Sequence, residues 1–202
     1  MDRPPFPMFL DLVGRRCLVL GAGPEAARKA DLLERHGASV VRCERYKHAP
    51  SLEGSALAMA AGTIPADAHT LAQTCRSLGI PVNVADEPAL CSFIMPAIVD
   101  RAPVMVAIST GGRSPQLAKL LREVLDGFLP LELGALGTLA GCFRGRVQSA
   151  ISDPSARRRF WHSTLTGPIA ALVFAGRERQ AEEALRASLA QSADRSHGQD
   201  AA

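Results

Sequence analysis

Arg16-Cys17-Leu18-Val19-Leu20-Gly21-Ala22-Gly23-Pro24-Glu25-Ala26 is the stretch that decides the fold. A short apolar run of the buried-strand type leads straight into two glycines. A helical pattern starts at once, with Ala26, Ala27, Ala30, Leu33 and Gly37 on one side and Arg28, Asp31, Glu34 and Arg35 elsewhere. Glu25/Lys29 and Asp31/Arg35 are favourable i,i+4 pairs. Gly37 is a stop signal, and Ser39-Val40-Val41 opens a second strand. Strand, G-x-G-x-x-A, helix, strand is the pattern of a dinucleotide-binding turn. Gly21 permits the tight turn, Gly23 lets backbone approach a pyrophosphate, and Ala26 allows close helix–strand packing. Free N–H groups at the helix start then face the phosphates. A purely structural glycine turn is the competing reading. Glu44 stands just past the second strand, where an acidic residue meets a ribose hydroxyl. Arg42 and Arg45 flank it, which leaves a 2′-phosphate open.

Outward from this unit, Ala56 to Ala61 reads as another buried strand. Ala68, Leu71, Ala72, Cys75 and Leu78 mark a helix face, and Ile80 to Val84 is a further strand whose Pro81 suits an edge or an entry point. Little chain separates Val41 from Ala56, so the parallel sheet is a shortened one. Phe93 to Val99 and Val104 to Ser109 form a hairpin around Asp100-Arg101-Ala102-Pro103. Its apolar arms seek either their own chain or a second copy. Ser114 and Pro115 start a helix with Leu117, Leu120, Leu121, Val124 and Leu125 as its buried face. Leu131 to Ala150 and Ala156 to Ala190 carry helical patterns, and Ser188 onward is polar and reads as a mobile tail.

The 202 residues suffice for one domain with an appendage. A net charge of +3 permits anionic ligands, and 4% aromatics argue against a base-stacking nucleic-acid surface. Five scattered cysteines and five histidines show no metal-ligand spacing, so no resident metal is expected. No apolar run has the length of a membrane helix and the start is not that of a signal peptide, so a soluble, cytoplasmic protein is expected.

Four further stretches carry a specific likeness. Asn83-Val84-Ala85-Asp86 resembles the N-V-x-D segment of precorrin-2 dehydrogenases/sirohydrochlorin ferrochelatases, including the N-terminal module of fused siroheme synthases. Cys91 to Arg101 is similar to the family's S-F-I-x-P-x-I-x-D-R stretch. Val106 to Pro115 is similar to its V-A-[IV]-S-[ST]-G-G-x-S-P loop, and Arg157 to Trp161 stands where the family has R-R-R-F-W. The likeness runs from about Phe6 to about Ala190 with one gap.

The resemblance implies a Rossmann-like NAD domain over 1–84, a dimerisation and active-site region over 85–130, a small all-helical domain over 131–190 and a tail over 191–202. It implies a homodimer and two reactions, NAD-dependent oxidation of precorrin-2 to sirohydrochlorin and insertion of ferrous iron, a substrate, to give siroheme. The family's essential carboxylate falls on Asp86, a base for both steps; a cap of the turn before Pro88 is the structural alternative. The family's cofactor contacts fall on Pro24, Glu25, Arg45 and Tyr46, beside the Gly21, Gly23 and Glu44 of the motif. Thr110 borders the substrate site. Charge and loop position add Gly111, Gly112, Arg113, Ser114 and Arg101 as partners for the macrocycle's carboxylates. Two departures lie on the cofactor side. The helix and strand that the family has before Ala56 are nearly absent, and Gly62-Thr63-Ile64 replaces an acidic turn. A tetrapyrrole-binding module, or a chelatase without dehydrogenase activity, is therefore the alternative function. Nucleic acid and membrane are not expected partners.

Overall fold

A computed structural model describes the backbone of residues 5–199 and the side chains of residues 5–192. The chain divides into two compact units. One runs to Pro96 and takes in Ser109–Pro115; the other comprises Ala97–Ile108 and the chain from Gln116 onward.

The first unit is a four-stranded parallel sheet in the order β2-β1-β3-β4. Its elements are β1 (Arg16–Leu20), α1 (Gly23–Arg35), β2 (Ser39–Cys43), β3 (Leu57–Ala60), α2 (Pro65–Ser77) and β4 (Val82–Val84). The two faces follow from strand alternation. Cys17, Val19, Leu57 and Met59 pack with Ala26, Ala30 and Leu33 of α1. Leu18, Leu20, Ala58, Ala60, Val82 and Val84 pack with Ala68, Leu71, Ala72 and Cys75 of α2. A sheet covered on both faces needs continuous apolar strands, which is what β1 and β3 supply. Pro81 precedes β4, an edge strand, so its missing N–H costs the ladder nothing. Between β2 and β3 stands only a 3-10 turn, Tyr46–His48, which confirms the shortened sheet.

The order of strands fixes where a ligand goes. From β1 the chain moves to β2 on one side and then returns to β3 on the other. The carboxyl ends of β1 and β3 therefore bound the topological switch point, the place where open α/β sheets bind ligands.

The second unit begins with the hairpin β5 (Ala97–Arg101) and β6 (Val104–Ile108), paired antiparallel. Helices α3 (Pro115–Phe128), α4 (Leu133–Ala150), α5 (Pro154–Thr166), α6 (Pro168–Phe174) and α7 (Glu178–Gln199) follow. A side chain at Gly134 of α4 would meet the carbonyl oxygens of Ala102 and Arg101 at 2.5 and 2.7 Å, so that glycine lets α4 lie directly on the hairpin turn. Phe143, Val147, Ile151, Phe160 and Leu185 form the helical core. Asp153 caps α5 through the N–H groups of Ser155 and Ala156, which hold its carboxyl below the usual range.

Two sequence expectations are corrected here. The stripe Leu117, Leu120, Leu121, Val124 and Leu125 is not a buried face: no residue of α3 is buried in the single chain. Where a tail was expected from 191, the backbone is helical through Gln199, Gly198 included; residues 200–202 of that expectation lie outside the described residues. Among the described residues no single helix is long and apolar enough to cross a membrane.

Candidate active site

The glycine turn after β1 is built by backbone packing. A Cβ on Gly21, whose φ is +122°, would lie 1.8 Å from the Ala61 carbonyl oxygen. A Cβ on Gly62 would lie 2.2 Å from that of Ala22. The turns following β1 and β3 thus touch backbone to backbone, joined by Ala22 N–H donating to Gly62 O at 3.3 Å. Gly21 N–H donates to Cys43 O at 2.8 Å, which fixes the end of β2 to the same point. Gly23 is different. Its φ is +83° and a Cβ there would meet nothing within 4 Å. It faces open space at the start of α1, whose N-cap residue Ala22 has no capping side chain. Thr63 adds a hydroxyl oxygen that is buried and without a partner. Uncapped helix N–H groups, a glycine facing open space and an orphaned hydroxyl at the switch point form a cradle that fits a dinucleotide pyrophosphate.

The charges around this cradle are sorted by pairing. Glu25 accepts a hydrogen bond from Arg28, which lowers its carboxyl pKa. At this helix start the groups that suit an anion are backbone N–H donors such as that of Glu25, Pro24 having none, rather than the Glu25 carboxylate. Glu44 is exposed and has no hydrogen-bond or ion-pair partner among the described residues. Both flanking arginines are engaged: Arg42 binds Asp31 and Glu34 at 3.0 Å each, and Arg45 Nε donates to Asp67 at 2.7 Å. Tyr46 donates its N–H to Asp67 at 3.0 Å and its hydroxyl to Thr74 at 2.8 Å. The Arg45 Nε and the Tyr46 phenol, of residues expected among the cofactor contacts, hydrogen-bond α2. There they tie the shortened β2–β3 connector to the domain, and the Asp67 carboxyl is held low by the guanidinium and the Tyr46 N–H.

Asp86 follows β4 directly. Glu87 N–H donates to Val84 O at 3.4 Å, so Asp86 is the third residue of a tight turn. Its φ is +62°, the only positive value of a non-glycine residue among those described. That position favours glycine, and aspartate there costs on the order of 1–2 kcal/mol. The side chain is exposed and caps nothing: the 3-10 turn Pro88–Leu90 has Glu87 at its N-cap and no capping side chain. The cap reading of Asp86 is therefore not what the structure shows. An exposed, unpartnered carboxylate is held in a strained conformation by its neighbours, as is common at functional sites.

The Ser109–Pro115 loop belongs to the same unit. Thr110 organises it, with its hydroxyl donating to Ser114 O at 3.0 Å and accepting from Ser114 N–H at 3.1 Å. Gly111 and Gly112 both have positive φ. A Cβ on Gly112 would stand 3.8 Å from Ile94, which sets the loop against the segment that follows the Asp86 turn. Arg113 is exposed, and its guanidinium has no partner among the described residues. Arg101 belongs to the other unit. Its side chain, 9% exposed, lies in the second unit, where its guanidinium donates to Leu129 O at 3.0 Å and to the oxygens of Asp126 at 2.8 and 2.9 Å. It satisfies the carbonyl end of α3, at which the hairpin turn aims it.

Sequence reasoning missed Lys29 and Asn83. Lys29 falls at i+3 from Ala26 and i−4 from Leu33, inside the apolar stripe of α1, and that position was the available signal. Its side chain is 12% exposed, and its ammonium donates to Asn83 Oδ1 at 3.4 Å. No group of residues able to hold a metal ion is present among the described residues.

A parallel α/β domain with a glycine-lined cradle at its switch point, which a hairpin and a helical region follow in the chain, defines a dinucleotide-binding class of protein. Comparison with known proteins narrows that class. Residues 8–97 match a family described as putative NAD(P)-binding, residues 103–126 the sirohaem biosynthesis protein central region and residues 132–189 the sirohaem synthase dimerisation region. The chain is 42% identical over 207 residues to a siroheme synthase of Thiobacillus denitrificans, covering 93% of this chain and 43% of that protein. It is 40% identical to one of Nitrosomonas eutropha, covering 94% and 44%. The solved structure of SirC, a precorrin-2 dehydrogenase, matches with a TM-score of 0.64 at 18% identity, covering 90% of this chain and 99% of that one, which shows the shared fold. The three matched regions lie in consecutive order over residues 8–189, as parts of a siroheme-synthase-like chain, and the chain spans less than half the length of the relatives named here. The cofactor class that this match gives the first domain is NAD(P).

Proposed function

We propose that this chain oxidises precorrin-2 to sirohydrochlorin with NAD in siroheme biosynthesis, using Asp86 as the base. The observation that carries the reading is the exposed, unpartnered Asp86 carboxylate, forced to φ +62° in the same unit as the open glycine cradle. The oxidation takes a hydride and a proton from the reduced macrocycle. NAD supplies the hydride acceptor. Asp86 accepts the remaining proton, a role that suits an exposed carboxylate with no partner of its own. Gly23 and the α1 start hold the pyrophosphate, and Glu44 receives the adenosine ribose hydroxyls. With Arg42 and Arg45 both paired to carboxylates, no free guanidinium flanks Glu44 to attract a 2′-phosphate, which favours NAD over NADP. The exposed Arg113, with the loop formed by Thr110, Gly111, Gly112 and Ser114, meets carboxylates of the macrocycle.

The same carboxylate serves a second step, insertion of ferrous iron into sirohydrochlorin, by taking pyrrole N–H protons as the metal enters. A homodimer completes the reading. Leu120, Val124 and Phe128 of α3 are 56, 59 and 78% exposed in the single chain, an apolar stripe that needs a cover. The five free thiols fit a reducing, cytoplasmic setting.

The test supplies precorrin-2 anaerobically with NAD, follows NADH and sirohydrochlorin, and then adds ferrous iron. Stoichiometric NADH is the expected result. Iron insertion without NADH formation would select a chelatase, and binding without either reaction a tetrapyrrole-binding module; both would overturn the dehydrogenase reading.

A further inference from the structure

We infer that Asn83, locked by Lys29, is a positioning residue that holds the Asp86 turn against α1. This rests on the reading of Asp86 as the base. Asn83 is 8% exposed, one of few buried polar residues in the molecule, and every part of its carboxamide is engaged. Its Oδ1 accepts from Lys29 at 3.4 Å. Its Nδ2 donates to Phe93 O at 3.1 Å and points to the Cys91 sulfur at 3.6 Å. The Cys91 thiol in turn lies 3.2 Å from both the N–H and the carbonyl oxygen of Val84 and 3.4 Å from Glu87 O. Val84 and Glu87 are the two ends of the turn that carries Asp86. One continuous set of hydrogen bonds thus runs from α1, which begins at the glycine cradle, through Asn83 to both ends of that turn.

The arrangement has a physical need behind it. Aspartate at φ +62° relaxes to an extended conformation unless its surroundings prevent it. The residues that prevent it are those fixing Val84, Glu87 and the returning strand of chain at Cys91–Phe93. Asn83 joins that returning chain to β4, and Lys29 fixes the amide's orientation, since an ammonium can face only the oxygen end of a carboxamide. Lys29 also lies 3.9 Å from Glu25 in the first turn of α1. The dinucleotide cradle and the base are thereby held to one frame, so that a proton and a hydride leave the same bound substrate.

The test uses Lys29→Met, Lys29→Arg, Asn83→Leu and, as control, Asp86→Ala, in the full chain. Hydrogen exchange at residues 84–87, NAD affinity by calorimetry, the Tm, and kcat and KM for precorrin-2 are measured on each. Lys29→Met keeps the buried stem and removes the charge. Its expected effect is faster exchange at 84–87 and a kcat lower by about 10–100-fold, the range for a misplaced catalytic group. NAD affinity and KM stay within about threefold, and the pH dependence of kcat keeps its shape at reduced height. Lys29→Arg restores much of the rate. Unchanged exchange at 84–87 and an unchanged kcat in Lys29→Met and Asn83→Leu would overturn the inference while Asp86→Ala still abolished turnover. Full activity of Asp86→Ala would instead overturn the assignment of the base on which it rests. A lowered Tm with wild-type kcat per folded molecule would assign the pair to stability alone and equally overturn it.

Discussion

Gly21 and Gly23, separated by one residue, make opposite demands, and alanine at each separates packing from ligand binding. At Gly23 a Cβ meets nothing within 4 Å and φ is +83°. The folded protein then bears only the left-handed backbone penalty, about 1–2 kcal/mol, or a Tm drop of about 2–8 °C. The new methyl stands in the open space at the start of α1, so a pyrophosphate there loses its close backbone approach. NAD affinity should fall at least tenfold, about 1.4 kcal/mol. At Gly21 a Cβ would lie 1.8 Å from the Ala61 carbonyl oxygen, and φ is +122°. Backbone rather than a flexible side chain must move, so overpacking adds to the φ penalty for a cost of about 2–5 kcal/mol. Thermal denaturation without NAD and calorimetric titration with NAD read the two effects independently. Gly23→Ala binding NAD within twofold of wild type would refute the placement of the cradle. Gly21→Ala as stable as Gly23→Ala would refute the backbone contact between the two turns.

Three other outcomes follow from particular contacts. Arg101→Met removes a guanidinium that serves Leu129 and Asp126. It should cost about 2–4 kcal/mol in urea denaturation and leave KM for precorrin-2 unchanged in the folded fraction, whereas a raised KM with no loss of stability would restore the substrate-contact role. Phe128→Glu or Leu120→Glu changes side chains that are exposed in the single chain. Sedimentation should show the dimer dissociating at concentrations roughly a hundredfold higher than wild type, from the cost of an unpaired buried charge; an unchanged dimer would place the interface elsewhere. The Asp67 carboxyl is held low in the fold by Arg45 and the Tyr46 N–H. A depressed folded pKa contributes stability above the unfolded value, and that contribution is lost as pH falls through the folded one. Asp67→Asn should therefore lower the Tm near neutrality and flatten its fall below about pH 4, where an unperturbed aspartate titrates. An unaltered acid limb would contradict the Arg45–Asp67 tie.

The sheet was legible because strand, glycine turn and helix follow one another within a few residues, and local signals suffice for that. The shortened connector was legible by length alone. What stayed hidden depends on partners far along the chain. Arg45 reads as a free charge until Asp67 is placed beside it, 22 residues on. Arg101 reads as a surface cation until the end of α3 arrives. The stripe on α3 was correctly seen as apolar, yet periodicity does not say whether the cover is the same chain or another, and in the single chain it is uncovered. Asn83-Val84-Ala85-Asp86 reads as the tail of a strand, and nothing local announces the positive φ at Asp86. Lys29 and Asn83 are 54 residues apart, and only the lysine's place inside an apolar stripe hinted at burial.

The most direct measurement is a single turnover of Asp86→Asn with precorrin-2 and saturating NAD, followed by NADH absorbance. The substitution keeps the size of the side chain and removes its capacity to accept a proton. The expected result is a rate lower by about 10²–10⁴-fold with calorimetric NAD affinity unchanged. NADH formation at the wild-type rate would contradict the assignment of Asp86 as the base.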